Sequence, residues 1–176
     1  VIRRHLPAGV AVQQDNMGSI ICAKKGASDT PRVMLAGHMD EIGFMVKMIT
    51  KEGFIRFLPL GGWFDQVLLG QRVIIKTTNG DVLGVLGCKP PHLLGDDERK
   101  KVIDKRDMYI DIGATCEDDV VKAGVRIGDP VIPLSEFAVL SDPKVYLAKA
   151  WDDRIGCALF VETIQRLTGV AHPNTV

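Results

Sequence analysis

Long apolar runs are missing from this sequence. None approaches the roughly 18 residues that a membrane-spanning helix needs, so no such helix is expected. An excess of either charge is missing too: Lys and Arg total 22, as do Asp and Glu. That balance removes the electrostatic case for a nucleic-acid or membrane-surface partner, and neither is expected. Cysteine is sparse, and Cys22, Cys88, Cys116 and Cys157 stand far apart without a C-x-x-C pair. Such spacing argues against a disulfide framework or a zinc knuckle and fits free thiols in a reducing compartment. The chain opens at Val1 with no basic-then-apolar leader, so secretion is not expected and the cytoplasm is.

What is present is a globular composition, 46% hydrophobic and 25% charged, in a chain long enough for one ordinary domain or two small ones. Most of its 18 glycines fall between short apolar runs, which predicts many turns and a strand-rich chain. Val1 to Leu6 reads as a helix tail closed by Pro7 and Gly9. Val10 to Gln13 and Ser19 to Lys24 read as strands around the turn Asp15-Asn16-Met17-Gly18. A polar loop then leads to Arg32 to Ala36, expected to be a buried strand.

That run ends in Gly37-His38-Met39-Asp40-Glu41. His-x-Asp at a strand end presents the imidazole and the first carboxylate on one side, because side chains alternate. The pairing suits a metal ligand backed by a carboxylate that selects the tautomer.

After Glu41 the texture changes. Ile42 to Ile49 and Phe54 to Leu58 read as a hairpin around Lys51-Glu52-Gly53, and Arg72 to Thr78 with Val82 to Gly87 as another around Asn79-Gly80. Pro90-Pro91 ends that pair, and the mixed-charge run Asp96 to Arg106 reads as an exposed loop or one helical turn. Met108 to Ile112 is a further strand. Glu117 to Ala123 is expected to be a short helix, with Thr115 as N-cap and Gly124 past its end. Val131-Ile132, Phe137 to Leu140 and Val145 to Ala148 are short strands separated by turn residues. So many short strands around one short helix predict a small barrel or sandwich over 42–146, interrupting something that resumes at Ala150.

There Ala150-Trp151-Asp152-Asp153-Arg154-Ile155-Gly156-Cys157 marks a strand giving way to a helix that runs to about Leu167. Ile155, Ala158, Leu159, Val161, Ile164 and Leu167 are expected to form its buried face. A carboxylate at such a junction can bridge cations, yet Asp at a helix start is also an ordinary N-cap. The cap is the expected role of Asp153, and cap frequency alone would give Asp152 the same role. Cys157 reads as an inert core thiol, Trp63 and Phe64 as core packing, and His5 and His172 as residues without function. His92 reads as a structural or subunit-contact residue, and Arg154 as either a partner of a site carboxylate or a helix-start residue.

The segments Gly37 to Phe44, Gly53-Phe54-Ile55-Arg56-Phe57, Gly61-Gly62-Trp63, Lys89-Pro90-Pro91-His92, Asp111-Ile112-Gly113 and Lys149 to Cys157 resemble, in this order, the M42 family of metallo-aminopeptidases. That family includes glutamyl aminopeptidases, TET peptidases and proteins labelled endoglucanase. The resemblance implies an α/β catalytic domain, here 1–41 and 147–176, with an inserted β-barrel-like dimerisation domain, 42–146. It implies two divalent metal ions, zinc or cobalt, with His38 binding one, Asp152 bridging both, and Asp40 orienting the His38 ring in the catalytic machinery. Peptides cut at their N-terminus are the implied substrates, and self-association through the inserted domain, from dimers up to dodecamers, the implied partnership.

The family's remaining site residues, a Glu-Glu pair, an Asp and a final His, have no match in these residues. The chain is therefore expected to be the N-terminal portion of a longer enzyme, inactive by itself. A competing expectation is a non-catalytic assembly or regulatory module that keeps the dimerisation domain. A glycoside hydrolase, the third reading, would work through two carboxylates without metal.

Overall fold

A computed structural model describes residues 1–176, apart from the side chains of Pro91 and Glu98. The chain divides into two compact units, one made of residues 1–40 with 150–176 and the other of residues 41–149.

The first unit opens with helix α1 (Ile2–His5) and the strands β1 (Ala11–Gln14) and β2 (Ile20–Ala23), paired antiparallel around the expected turn. Asp15 shapes that turn by accepting from the backbone N–H groups of Met17 and Ser19.

The second unit is a closed barrel. Strands β3 (Gly43–Ile49), β4 (Ile55–Leu60), β5 (Arg72–Thr77) and β6 (Gly80–Gly87) form the two expected hairpins. The single helical turn α2 (Asp96–Arg99) falls in the mixed-charge run, and strand β7 (Tyr109–Asp111) and helix α3 (Glu117–Lys122) follow. Strand β8 (Pro130–Pro133) completes the ring in the order β3-β4-β7-β6-β5-β8, every neighbour antiparallel.

Alternation along each strand turns one set of side chains inward: Phe44 and Val46, Ile55 and Phe57, Val73 and Ile75, Leu86, Ile110 and Val131. Val120 of α3, with Leu68, Met108 and Val125, belongs to the same core. A barrel this small is filled by side chains and has no lumen. Where filling would overshoot, the sequence supplies glycine: a Cβ on Gly84 would lie 2.5 Å from Ile110 Cγ2. Trp63 stacks on Phe44 at 4.6 Å between ring centroids and donates its Nε1–H to the Gly43 carbonyl, 2.8 Å away. Phe64, expected to pack likewise, is 64% exposed.

Helix α3 starts differently from expectation. Cys116 is its N-cap and makes no side-chain cap bond. Instead Asp119 reaches back to accept from Thr115, at 3.2 Å from the backbone N–H and 2.9 Å from the hydroxyl. A carboxylate in the first turn satisfies donors there and also favours the positive end of the helix dipole. A short ribbon, β9 (Ala138–Val139) with β10 (Tyr146–Leu147), precedes the return to the first unit.

That return is helix α4 (Trp151–Arg166). The closing segment then lies beside residues 24–33: Lys24 and Val176 exchange two backbone hydrogen bonds, and Val33 N–H donates to the Thr175 carbonyl. Residues 32–36 form no strand, and Met34 is 85% exposed, contrary to the expected buried strand. An apolar run becomes a buried strand only when neighbours pair with its edges and cover its faces. The apolar face expected of α4 is likewise mostly open, with Ile164 buried but Ile155 and Leu159 exposed. Among the described residues, no helix is long and apolar enough to cross a membrane.

Candidate metal centre

His38 and Asp152 lie 114 positions apart in sequence, yet His38 Nε2 and Asp152 Oδ1 are 3.1 Å apart. On the other side of the ring, His38 Nδ1 is 3.0 Å from Asp40 Oδ1. The imidazole thus stands between two carboxylates, and all three side chains face solvent, with 54% of His38, 88% of Asp40 and 94% of Asp152 exposed. Partial burial works against the charged ring, but the carboxylates of Asp40 and Asp152 outweigh it and hold the His38 pKa above its ordinary 6.5. With the ring protonated, each nitrogen donates to one carboxylate.

Local structure explains how the pair is brought together. Ala150 precedes α4 in the left-handed region at φ 59°, and Asp152 and Asp153 keep non-helical backbone angles before the regular helix begins. The Asp152–Asp153 peptide is cis. From the first turns of α4, Arg154 Nε donates to the Met39 carbonyl at 3.0 Å, and Cys157 Sγ to the His38 carbonyl at 3.4 Å. These bonds hold the backbone that carries His38. Arg154, whose role the sequence left open, therefore takes a backbone carbonyl on the His38 segment. Burial first, then the nearby Asp153 charge, pushes the Cys157 thiol up from its ordinary value, which disfavours the thiolate. It is half-buried rather than deep in a core.

Asp153 accepts from the Gly156 N–H at 3.1 Å, the helix-start role expected of it. Its carboxylate occupies a notch made by two glycines, Gly37 and Gly156, to which the sequence reading gave no packing role. A Cβ on Gly37 would sit 2.5 Å from Asp153 Oδ2, and one on Gly156 would sit 2.3 Å from the same atom. The signal was there: one glycine precedes His38 and the other follows Asp153 by three positions. The remaining histidines lie apart from this centre in their bonding. His172 Nδ1 is 2.8 Å from the Asn174 carbonyl, His5 accepts through its backbone from Gln165, and His92 is exposed in a short 3-10 turn, Pro91–Leu93.

The donor set fits part of a divalent-metal site. Two ligands bonded at about 2.0–2.2 Å to one zinc ion stand roughly 3–3.5 Å apart, and the His38 and Asp152 donor atoms match that spacing. Asp40 Oδ1, 3.0 Å from Nδ1, can accept from that nitrogen. Among the described residues no group of three or more His, Cys, Asp or Glu side chains gathers as a fuller ligand set.

Comparison with known proteins agrees along the length of the chain. The sequence profile of the M42 glutamyl aminopeptidases matches residues 18–176. A glutamyl aminopeptidase of Lactococcus lactis is 34% identical over 176 residues, covering 98% of this chain and 50% of its own. The crystal structure of a TET aminopeptidase from the marine sediment archaeon Thaumarchaeota archaeon SCGC AB-539-E09 superposes with a TM-score of 0.90 at 50% identity, covering 94% of this chain and 47% of its own. The Pyrococcus horikoshii TET1 peptidase, which can assemble into a tetrahedron or a large octahedral shell, gives a TM-score of 0.83 at 32% identity, covering 99% and 52%. The chain thus spans about half the length of the relatives it matches. By the extent of these matches, the chain belongs to the M42 family of glutamyl aminopeptidases.

Proposed function

We propose that this chain carries the first metal-binding half of a metal-dependent aminopeptidase that removes N-terminal residues from peptides. The observation supporting this most directly is the approach of His38 Nε2 and Asp152 Oδ1 to 3.1 Å across 114 positions, both within the residues that the M42 profile matches. His38 and Asp152 are the residues that would hold the metal, Asp152 serving both ions, and Asp40 would keep a proton on Nδ1 so that the ring could present its Nε2 lone pair. Two divalent cations, zinc or cobalt, supply Lewis acidity toward the scissile carbonyl and a water of lowered pKa when bound. Because the resting imidazole bonds to Asp152 through Nε2, that nitrogen must give up its proton before it can ligate.

Residues 1–41 and 147–176 are assigned to the α/β catalytic domain, and 42–146 to an inserted domain through which copies of the chain associate. Assembly of the related TET1 peptidase into closed shells supports self-association here, as dimers or larger sets of twelve. The four free cysteines support a cytoplasmic setting.

One histidine and one carboxylate are fewer than the three protein ligands a catalytic zinc ordinarily takes. Residues 1–176 by themselves therefore bind the metal weakly and hydrolyse nothing. Cobalt titration followed by visible absorption and calorimetry tests this: weak binding is expected, lost in His38→Ala and Asp152→Ala. Tight stoichiometric binding with turnover of amino-acid p-nitroanilides by the 176-residue chain would refute inactivity. Binding indifferent to both substitutions would refute the metal centre, leaving the assembly module as the reading that stands.

A further inference from the structure

We propose that Lys149 and Glu41 form a positioning pair that returns Asp152 to His38 at the end of the long excursion between them. The chemical purpose of the pair rests on the metal-centre reading above, whereas its geometry does not. Closing so long a loop carries an entropic cost that local sequence cannot offset, so something must hold the ends. Lys149 Nζ donates to Glu41 Oε1, joining the first and last residues of the barrel-containing unit. The two side chains are only 25% and 12% exposed, so salt screens their attraction weakly.

The placement is symmetrical. Glu41 follows His38 by three residues and Lys149 precedes Asp152 by three, so each candidate ligand stays within about 10 Å of backbone from the pair. Strand β3 begins two residues after Glu41, and β10 ends two residues before Lys149. The pair therefore clasps the chain where it leaves for the barrel and where it comes back. Beyond it, Arg154 and Cys157 bond to the carbonyls of Met39 and His38. Those bonds set the local fit of the site; the ion pair limits how far its two halves can drift.

Hydrogen–deuterium exchange on the metal-free chain reads this directly, comparing Lys149→Met, Glu41→Gln and Lys149→Arg with the wild type. Amides in 36–42 and 149–157 should exchange about tenfold faster in Lys149→Met and Glu41→Gln, as a loosened local unit does. Lys149→Arg should keep the wild-type rate, and amides of 72–87 in the barrel should be unchanged in all three. Unchanged exchange in the first two variants, equal loosening in Lys149→Arg, or loosening spread over 72–87 would overturn the proposal. Cobalt titration separates this from the reading it rests on. Lys149→Met should weaken binding ~10-fold, as loss of an outer support does, and full binding by that variant would count against the pair. Cobalt binding unaffected by His38→Ala would sink the metal centre, while the exchange data would still decide whether the pair positions the two segments.

Discussion

The two units treat their apolar residues in opposite ways. Within 41–149, Ile55, Val73, Ile75 and Ile110 are completely shielded from solvent, whereas in the unit made of 1–40 and 150–176 Ile164 is the one buried apolar side chain among the described residues. Met34, Leu159 and Val170 there remain more than half exposed. The cause lies in how each architecture completes itself. A closed antiparallel ring supplies a partner to both edges of every strand and fills its interior from its own alternating residues. An apolar run such as 32–36 supplies neither its neighbours nor its cover, so its burial depends on what packs around it. Autonomy therefore follows from closure and not from hydrophobicity, which both units have.

Separating the units gives the largest expected effect. Residues 41–149 expressed alone should give a β-type circular dichroism spectrum and one cooperative melt, whereas 1–40 joined to 150–176 should not melt cooperatively. A shallow, non-cooperative transition for 41–149 would remove the contrast. At the level of one side chain, Ile110→Ala should cost about 2–5 kcal/mol in urea unfolding, and Leu159→Ala no more than about 0.5 kcal/mol. Equal costs would mean that α4 is buried in solution.

Acid should act on the barrel. Lys105, through its side chain and then its backbone, holds the Asp65 carboxyl below its ordinary 3.8, and Thr115 does the same for Asp119. A carboxylate whose folded value is depressed stabilises the fold in full above its unfolded value, and that contribution disappears as pH falls through the folded value. The urea midpoint of 41–149 should therefore hold from neutral pH to about 5 and drop below about 4, and Asp65→Asn should flatten the drop. A midpoint that falls as steeply in Asp65→Asn would show that the acid sensitivity lies elsewhere. Thr115→Val, which removes one exposed hydrogen bond to Asp119, should lower the urea midpoint of 41–149 only slightly. A melt identical to the wild type would show Asp119 to be satisfied by the backbone of Thr115 alone.

Much of the barrel was legible in advance because its signals are local. Apolar runs flanking turn residues marked β3 to β6, with Lys51-Glu52-Gly53 in the first hairpin and Asn79-Gly80 in the second. The closure of the ring was not legible, since β7 inserts between β4 and β6 and β8 joins β5 to β3, pairings no local rule selects. At the candidate centre, residue chemistry pointed to His38 and Asp40 and marked Asp153 as a helix-start residue, while Asp152 entered as a ligand only through the resemblance to the M42 family. The glycine notch around Asp153 was hidden, because Gly37 and Gly156 contribute by what they lack and only assembled neighbours reveal it.

Residue order alone marked most of the local elements and the turns between them, though not the state of 32–36, and it singled out His38 with Asp40 as a candidate ligand and its support, since such signals lie in a few adjacent positions. Folding in three dimensions decided which strands pair, which apolar runs are buried, and that an imidazole and a carboxylate 114 positions apart meet at 3.1 Å. Those outcomes depend on loop closure and on packing between distant segments, and no short window of sequence contains either.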